Sequence, residues 1–545
     1  MCDDGGVLVE TRSHASGDPG LEGERDPMRA DVVGATDDIG PIPRRNDFGT
    51  YVSEVTFDKL YVHIDFKGSP PRPQYIMDCF PLFADWGATG IVFEWEDMLP
   101  FDGRLEKIRS PSCYTREEVE MIIGAAEGAG LHCIPLVQTF GHLEFVLKHQ
   151  DFAAYAEVCG QLSSCICPLA EGSVPLAKEL IDQTLRFHPS ADTIHIGCDE
   201  VFHLGSCARC QRKVMEAGID HLFTDYVNAL LLHCKAKNVR ALLWHDMLNS
   251  FAPSVLMDKI AHTGEPVLWH YGDVMHGVNE SAINNLFEAF PRVWGATAFK
   301  GAAEPDAVWV PVHQRLANHI SWLQKACLLK ERSRYLEAIV VTGWSRFSHA
   351  SALCEILPVG LPSLYVCLKL LQNGRFSVEL LESAAESLGI PVWALCSDAT
   401  SLDAPFPSTD DSLFPGAQAY FTFARLEAIR QFYVKTKQQQ AEMGACVGGG
   451  GGCSQSSLRA LKSHLSVLGK CQDTLDALKR GLTDHLDSIL FKPDIDELLS
   501  TKVDRVAELV ATLRGELRKE LEGMDDGLVY LGHSPNNIET DDVPV

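Results

Sequence analysis

From Tyr61 to Phe347, short runs of apolar and β-branched residues alternate with longer stretches whose apolar positions recur every three to four residues. Strand-length units alternating with helix-length units predict βα repeats around a parallel sheet. Eight strands are predicted: YVHIDFKG from Tyr61, GIVFEWE from Gly90, HCIPLVQTFG from His132, TIHIGCDE from Thr193, RALLWHDM from Arg240, PVLWHYG from Pro266, VWGATAFKG from Val293 and AIVVTGWSRF from Ala338. Their starts lie from 26 residues apart (Arg240 to Pro266) to 61 apart (His132 to Thr193), room each time for a strand, a helix and two loops. Eight such units in about 300 residues fit an α/β fold, a (β/α)8 TIM barrel. A doubly wound open sheet would require a glycine-rich phosphate loop after an early strand, and the sequence has none.

The pattern differs on either side of the barrel. Residues 1–54 are rich in Gly, Asp and Arg without periodicity and are expected to form a mobile tail, leaving 55–390 for the barrel. Residues 391–525 are expected to be a C-terminal helical region, with helices at Ala417 to Met443, Ser456 to Leu490 and Ile495 to Glu522 and a glycine linker over 444–453. The spacing of Leu458, Leu461, Leu465, Leu468, Leu475 and Leu478 suggests helix-on-helix packing, on the barrel, on one another, or across a homodimer. Residues 526–545 are expected to be a loose acidic tail. The densest apolar stretch, Leu357 to Leu371, is interrupted by Pro358, Pro362 and Lys369 and predicts a buried helix with its entry turn. It falls short of the roughly 18 uninterrupted apolar residues of a membrane span.

The distribution of polar residues along the strands adds chemistry to this picture. Each predicted strand begins apolar and ends in charged or aromatic residues: Asp65 and Lys67, Glu94, Glu96 and Asp97, His142, Asp199 and Glu200, Trp244 and Asp246, Trp269 and Tyr271, Lys300, and Trp344 and Arg346. In a (β/α)8 barrel those C-terminal strand ends converge on one mouth, where the chemistry resides. Composition removes other functions. The 545 residues carry 47 basic and 74 acidic side chains, a net charge of −27, and lack a basic stripe, so a nucleic-acid partner is not expected. Eighteen cysteines are spread over the whole chain, and the first thirty residues lack the basic flank and apolar segment of a signal peptide. A cytoplasmic location, with the nucleus as an addition, is the expectation.

Adjacent like charges at Asp199 and Glu200 favour one of the two keeping its proton, as a general acid requires. Alone, the pair favours the plainer reading of a solvated cap before a helix. Its company decides otherwise: Trp244, Trp269 and Trp344 at neighbouring strand ends offer flat apolar walls that suit the C–H face of a sugar ring. Carboxylates beside aromatic walls at a barrel mouth point to glycoside hydrolysis.

HIGCDE from His195 resembles the H-x-G-x-D-E signature of glycoside hydrolase family 20, the β-N-acetylhexosaminidases. VQTFGHLEF from Val137 is similar to that family's third-strand histidine motif, and WHDML from Trp244 to its fifth-strand Trp-x-acid element. The resemblance runs from about Tyr61 to Pro362. It implies an exo-acting, retaining enzyme that releases terminal N-acetylhexosamine with the substrate's own 2-acetamido oxygen as nucleophile and without a cofactor. It further implies Glu200 as acid and then base, and Asp199 as the residue that orients the acetamido group. Trp244, Trp269 and Trp344 would surround the sugar, His142 would lie near the acid, and Asp246, Glu96 and Asp97 would be hydroxyl or supporting partners. Two positions depart from the pattern. Lys67 stands near an arginine that binds sugar hydroxyls in relatives, and Phe299 where a seventh-strand tyrosine meets the acetamido oxygen; Tyr271 is the expected substitute for that tyrosine.

Two alternatives stay open in the sequence: a retaining glycosidase with a protein nucleophile such as Glu96 opposite Glu200, and a non-catalytic glycan-binding or scaffolding barrel. Cys165-x-Cys167 with Cys207-x2-Cys210 could build a four-thiolate zinc site, but the first pair is one residue short of the usual spacing, so no metal is expected.

Overall fold

The computed structural model describes residues 50–158, 163–275, 278–396, 414–448 and 455–530. Eight parallel strands close into a barrel: β1 (Leu60–Asp65), β2 (Gly90–Glu94), β3 (His132–Leu136), β4 (Thr193–His195), β5 (Arg240–Trp244), β6 (Gly264–Trp269), β7 (Val293–Lys300) and β8 (Leu336–Gly343). Leu60 of β1 lies opposite Ile339 of β8, which closes the ring. All eight predicted strands are present in the predicted order, each starting within two residues of its expected position.

Side chains alternate along a strand, so one set fills the barrel and the other faces the helices. Tyr61, Val92, Leu136, Leu242, Val267 and Val340 belong to the interior cluster, whereas Leu60, Val62, Phe93, Leu268 and Val341 pack in the outer core. Counting in twos from the interior residues leads to the mouth: Tyr61 to His63 and Asp65, Val92 to Glu94, Leu136 to Gln138, Leu242 to Trp244, Val267 to Trp269, and Val340 to Trp344. On β7 the same count, from Trp294 and Ala296 in the interior, leaves Phe299 on the outer face, where it packs near Gly343 and Gly360; the register against β8 shifts between Ala298 and Lys300. Phe299 therefore does not occupy the mouth position assigned to it from the sequence. Lys300, its neighbour, is consumed in donating to the carbonyls of Trp344 (2.6 Å) and Glu355 (3.0 Å).

The connecting helices carry conventional stop and start signals. Thr115 and Glu118 cap Arg116–Gly128 reciprocally, and Pro73 occupies the first turn of Pro73–Trp86. The predicted buried helix is Leu357–Asn373.

Beyond the barrel, the helices Ala417–Gly448, Gln455–Asp487 and Arg505–Tyr530 pack on one another, the last entered through Lys492–Leu498 and one π-helical segment, Leu499–Asp504. Leu461, Leu468, Leu475 and Leu482, seven residues apart, are buried, while Leu465 and Leu478 are partly buried beside them. This region is fastened to the barrel by a two-pronged ion pair: Arg346, just beyond β8, reaches Glu497 at 2.8 and 2.6 Å, and Glu497 also accepts the N–H of Leu353 at 2.9 Å.

Three boundaries differ from expectation. Tyr51–Val52, inside the stretch expected to be a tail, pairs antiparallel with Arg375–Phe376; residues 1–49 lie outside the described residues. The helix from Ala417 continues to Gly448, into the expected linker, whose remaining residues lie outside the described ones. The final helix runs to Tyr530, into the expected acidic tail, and 531–545 lie outside. Among the described residues no helix is long and apolar enough to cross a membrane.

Candidate active site at the barrel mouth

β4 stops at His195, and the chain leaves it through three residues with positive φ: Gly197 (+67°), Cys198 (+72°) and Glu200 (+48°). Burial holds the His195 pKa down at about 3, so its imidazole is neutral, and its Nδ1 accepts the Gly197 N–H at 3.0 Å. A Cβ at Gly197 would fall 1.9 Å from Gln138 Oε1, so both the conformation and the space require glycine. This sharp exit lets two successive carboxylates, Asp199 and Glu200, turn toward the same side.

The loop after β3 crosses directly over them. A Cβ on Gly141 would lie 2.0 Å from the Asp199 carbonyl oxygen, so the two backbones touch there. The next residue, His142 (φ +51°), places Nε2 at 3.3 Å from both Asp199 Oδ2 and Glu200 Oε2. Burial alone would lower the His142 pKa, but the two carboxylates outweigh it and hold the imidazole protonated well above its ordinary range. Gly141→Ala is accordingly expected to push the loops apart and lower kcat/KM by about 100-fold, as a misplacement of roughly 1 Å does. Steady-state kinetics beside an unchanged far-UV circular dichroism spectrum checks this, and an unimpaired variant would refute the close approach.

Glu200 is fixed from its other side. Its N–H donates to Asp246 Oδ2 at 2.9 Å, and Asp246 Oδ1 accepts from Trp269 Nε1 at 3.1 Å. Asp199 is 7% exposed, and its Oδ1 has no hydrogen-bond partner among the described residues. Burial, reinforced by the Asp199 charge, raises the Asp246 pKa to about 7. Because that folded value exceeds the unfolded value of about 3.9, the stability Asp246 contributes is complete below pH 4 and is lost as pH rises toward and through 7. Asp246→Asn removes this loss. The melting temperature of the variant relative to wild type should therefore rise between pH 4.5 and 8, and a pH-independent difference would overturn the assignment.

The aromatic residues close in above. Trp244 packs on His195 (centroids 4.4 Å apart) and on Trp344 (6.0 Å). Tyr271 stacks on Trp269 (5.2 Å, 23°) and meets Trp344 edge-on (6.4 Å). Burial raises the Tyr271 pKa, with Asp199 and Glu200 acting in the same direction, so it remains a phenol able to donate. The structure thus brings Trp244, Trp269, Tyr271, Trp344, His142, Asp246, Asp199 and Glu200 into one constellation.

Lys67, Glu96 and Asp97 form a neighbouring group behind the Trp344 ring. The Lys67 side chain is 3% exposed; its ammonium lies 3.2 Å from Glu96, 3.9 Å from Asp65 and 5.5 Å from the Trp344 ring centroid. Burial would lower its pKa, but the surrounding carboxylates prevail and hold it charged. Glu96 (φ +46°) is 2% exposed and also accepts from His349, and Asp97 lies 3.9 Å from both Lys148 and His349. Burial lowers the His349 pKa to about 4. His349 escaped the sequence reading because it lies in the loop after β8, where no strand or helix period marks it. His63, Glu94 and Gln138 make a further hydrogen-bonded layer below, with His63 Nε2 2.8 Å from Glu94. Of the six non-glycine residues with positive φ among the described ones, four (Glu96, His142, Cys198 and Glu200) belong to this mouth, the kind of concentration that functional sites show. The four-thiolate set does not assemble: Cys165 lies beside Ser164, and Cys167 alone of that pair meets Cys207 and Cys210.

The family described as "Glycosyl hydrolase family 20, catalytic domain" matches residues 78–270. Hexosaminidase D of Homo sapiens is 39% identical over 345 residues, which span 61% of this chain and 70% of that protein. Hexosaminidase D of Bos taurus is 38% identical over 336 residues, 60% of this chain and 96% of that one. Among solved structures, a β-N-acetylhexosaminidase from Bacteroides fragilis is 14% identical with a TM-score of 0.46, and the alignment covers 57% of this chain and 66% of that one.

Proposed function

The chain belongs to glycosyl hydrolase family 20 and is a β-N-acetylhexosaminidase; from that premise we propose that it removes terminal β-linked N-acetylgalactosamine or N-acetylglucosamine by exo-acting, retaining, substrate-assisted catalysis. The observation that carries this reading is the pairing of Glu200 with a buried Asp199 whose Oδ1 is a free acceptor, both held on one protonated histidine beside three tryptophans. In the first step the acetamido oxygen attacks the anomeric carbon while Glu200 gives its proton to the departing glycosidic oxygen. Asp199 accepts the acetamido N–H, which aims the carbonyl and offsets the positive charge of the oxazolinium that forms. Tethering the nucleophile to the substrate supplies the effective molarity that a protein nucleophile otherwise provides. In the second step Glu200, now a carboxylate, takes a proton from the water that opens the oxazolinium. Trp244, Trp269 and Trp344 enclose the acetamido methyl and the sugar face, and Asp246 holds Glu200 and Trp269 in place.

A protein nucleophile is the weaker reading. Glu96, which it would use, is closed off from solvent and paired with both Lys67 and His349. A binding-only barrel has no use for an acid poised beside an acceptor. Release of aryl product from aryl β-N-acetylglucosaminide and β-N-acetylgalactosaminide tests the activity, and a thiazoline analogue of the oxazoline tests the mechanism. Tight competitive inhibition is expected, and turnover indifferent to the analogue would favour the protein nucleophile.

Tyr271 is assigned to the acetamido oxygen. Tyr271→Phe preserves the stacking on Trp269 and removes only the hydroxyl, so kcat should fall by about 10-fold or more, in line with the loss of one preorganised donor. An unchanged kcat would sink the assignment.

A further inference from the structure

Glu157, Cys167, Cys207 and Cys210 bring one ligand atom each to within 4.8 Å of one another, the one such group of potential ligands among the described residues that includes cysteine. Cys167 Sγ lies 3.6 Å from Cys207 Sγ and 3.5 Å from Cys210 Sγ. Around a tetrahedral zinc with Zn–S near 2.3 Å, sulfur–sulfur separations are about 3.8 Å. A disulfide would instead bring two sulfurs to about 2.05 Å and leave the third, together with a carboxylate, without a purpose. We propose that Glu157, Cys167, Cys207 and Cys210 form a closed structural site for a zinc ion.

The surroundings fit a thiolate–metal centre. Cys207 caps the helix Ala208–Ala217, and its sulfur accepts the N–H of Cys210 at 3.4 Å, so the positive end of that helix faces the cluster. Glu157, 4% exposed, turns Oε2 toward Cys210 Sγ at 3.2 Å while its Oε1 accepts the N–H of Cys207 at 3.0 Å. One carboxylate oxygen is therefore oriented by the backbone and the other is directed at the sulfurs, the usual division for a carboxylate ligand. Three thiolates and a carboxylate around a dication leave an excess of two negative charges, and Arg209 lies against Cys207 to offset part of it. Four protein ligands leave no open position, so the ion is structural. Binding displaces the thiol protons to solvent and involves no redox step.

The location gives the ion its task. Glu157 and Cys167 lie in the long loop after β3, which carries His142; Cys207 and Cys210 follow β4, which delivers Asp199 and Glu200. Within the first loop, Ile166 N–H donates to the Phe140 carbonyl (3.0 Å) and Leu143 N–H to the Ser164 carbonyl (2.9 Å), so the segment holding Cys167 is fastened to the segment holding His142. An ion shared by the two loops fixes the 3.3 Å contacts of His142 with both carboxylates.

The test is metal analysis of the full-length protein produced with zinc in the medium and purified without chelator, with thiol titration and intact mass alongside. About one zinc per chain is expected, lost in Cys210→Ser and retained in Cys165→Ser, whose sulfur lies outside the cluster. Wild type reloaded with cobalt(II) should show thiolate charge-transfer bands and the visible bands of a tetrahedral ion. Because wild type alone decides the stoichiometry, misfolding of Cys210→Ser does not blunt the result. Metal-free protein after zinc supplementation, with either free thiols or a disulfide at these cysteines, would overturn the proposal. So would zinc retained in Cys210→Ser. Metal content is read without reference to turnover, so failure here leaves the glycosidase reading intact.

Discussion

Glu200→Gln is expected to lower kcat/KM by about 10³- to 10⁴-fold on an aryl β-N-acetylhexosaminide whose leaving phenol is weakly acidic, the upper range for loss of a positioned general acid. The substitution keeps the shape of the side chain and leaves the backbone N–H on Asp246 untouched, so the fold and the aromatic enclosure should survive it. The loss should shrink as the leaving phenol becomes more acidic, because such a group departs without a proton. A deficit that stays constant across a series of aryl leaving groups, with an unchanged melting temperature, would show that Glu200 is not the acid. Deglycosylation still requires a base, so with the most acidic phenols the second step should become limiting and an initial burst of phenol should appear.

Asp199→Asn carries the second large effect, about 10²- to 10³-fold in kcat, the range for removing one preorganised electrostatic partner of a developing charge. Asp199 Oδ1 is buried and has no partner among the described residues, whereas Oδ2 is engaged with His142. An amide in its place offers less negative charge to the oxazolinium and cannot accept from both neighbours with two oxygens. Affinity for a thiazoline inhibitor should fall in parallel with kcat/KM, since that inhibitor resembles the intermediate. If Asp199→Asn slowed turnover but bound the thiazoline as tightly as wild type, Asp199 would be acting on some other step.

The barrel was legible because its signal is carried by period: β-branched runs separated by helical lengths, with polarity switching at the end of each strand. The same period of two explains why Trp244, Trp269 and Trp344 lie together, for each follows an interior residue by an even count. It also explains the failure at Phe299. Trp294 and Ala296 of β7 face the interior, so Phe299, an odd count further on, falls on the outer face and packs there. Lys67 illustrates a second limit. Its sequence position lies at the mouth, but its burial among Asp65, Glu96 and the Trp344 ring is decided by loops from three different strands. Cysteine spacing proposed Cys165, whereas the structure substitutes Glu157, a residue ten positions from Cys167 that is brought back by the Ala156–Ile166 bridge. A ligand recruited through a loop's own hairpin leaves no fixed spacing to read.

The Arg346–Glu497 clasp has a consequence for how the molecule comes apart. Glu497 holds the guanidinium with both oxygens and the Leu353 N–H besides, so the polypeptide between Trp344 and Leu353, which includes His349, is spliced to the helical region at both ends. Removing Glu497 would leave Arg346, almost fully buried, with the Ser351 and Gly68 carbonyls and the nearby Asp494 as its remaining partners, a defect of about 1–3 kcal/mol. The barrel and its helices should then melt as a single cooperative unit, and wear at their seam would be felt first by the last catalytic tryptophan.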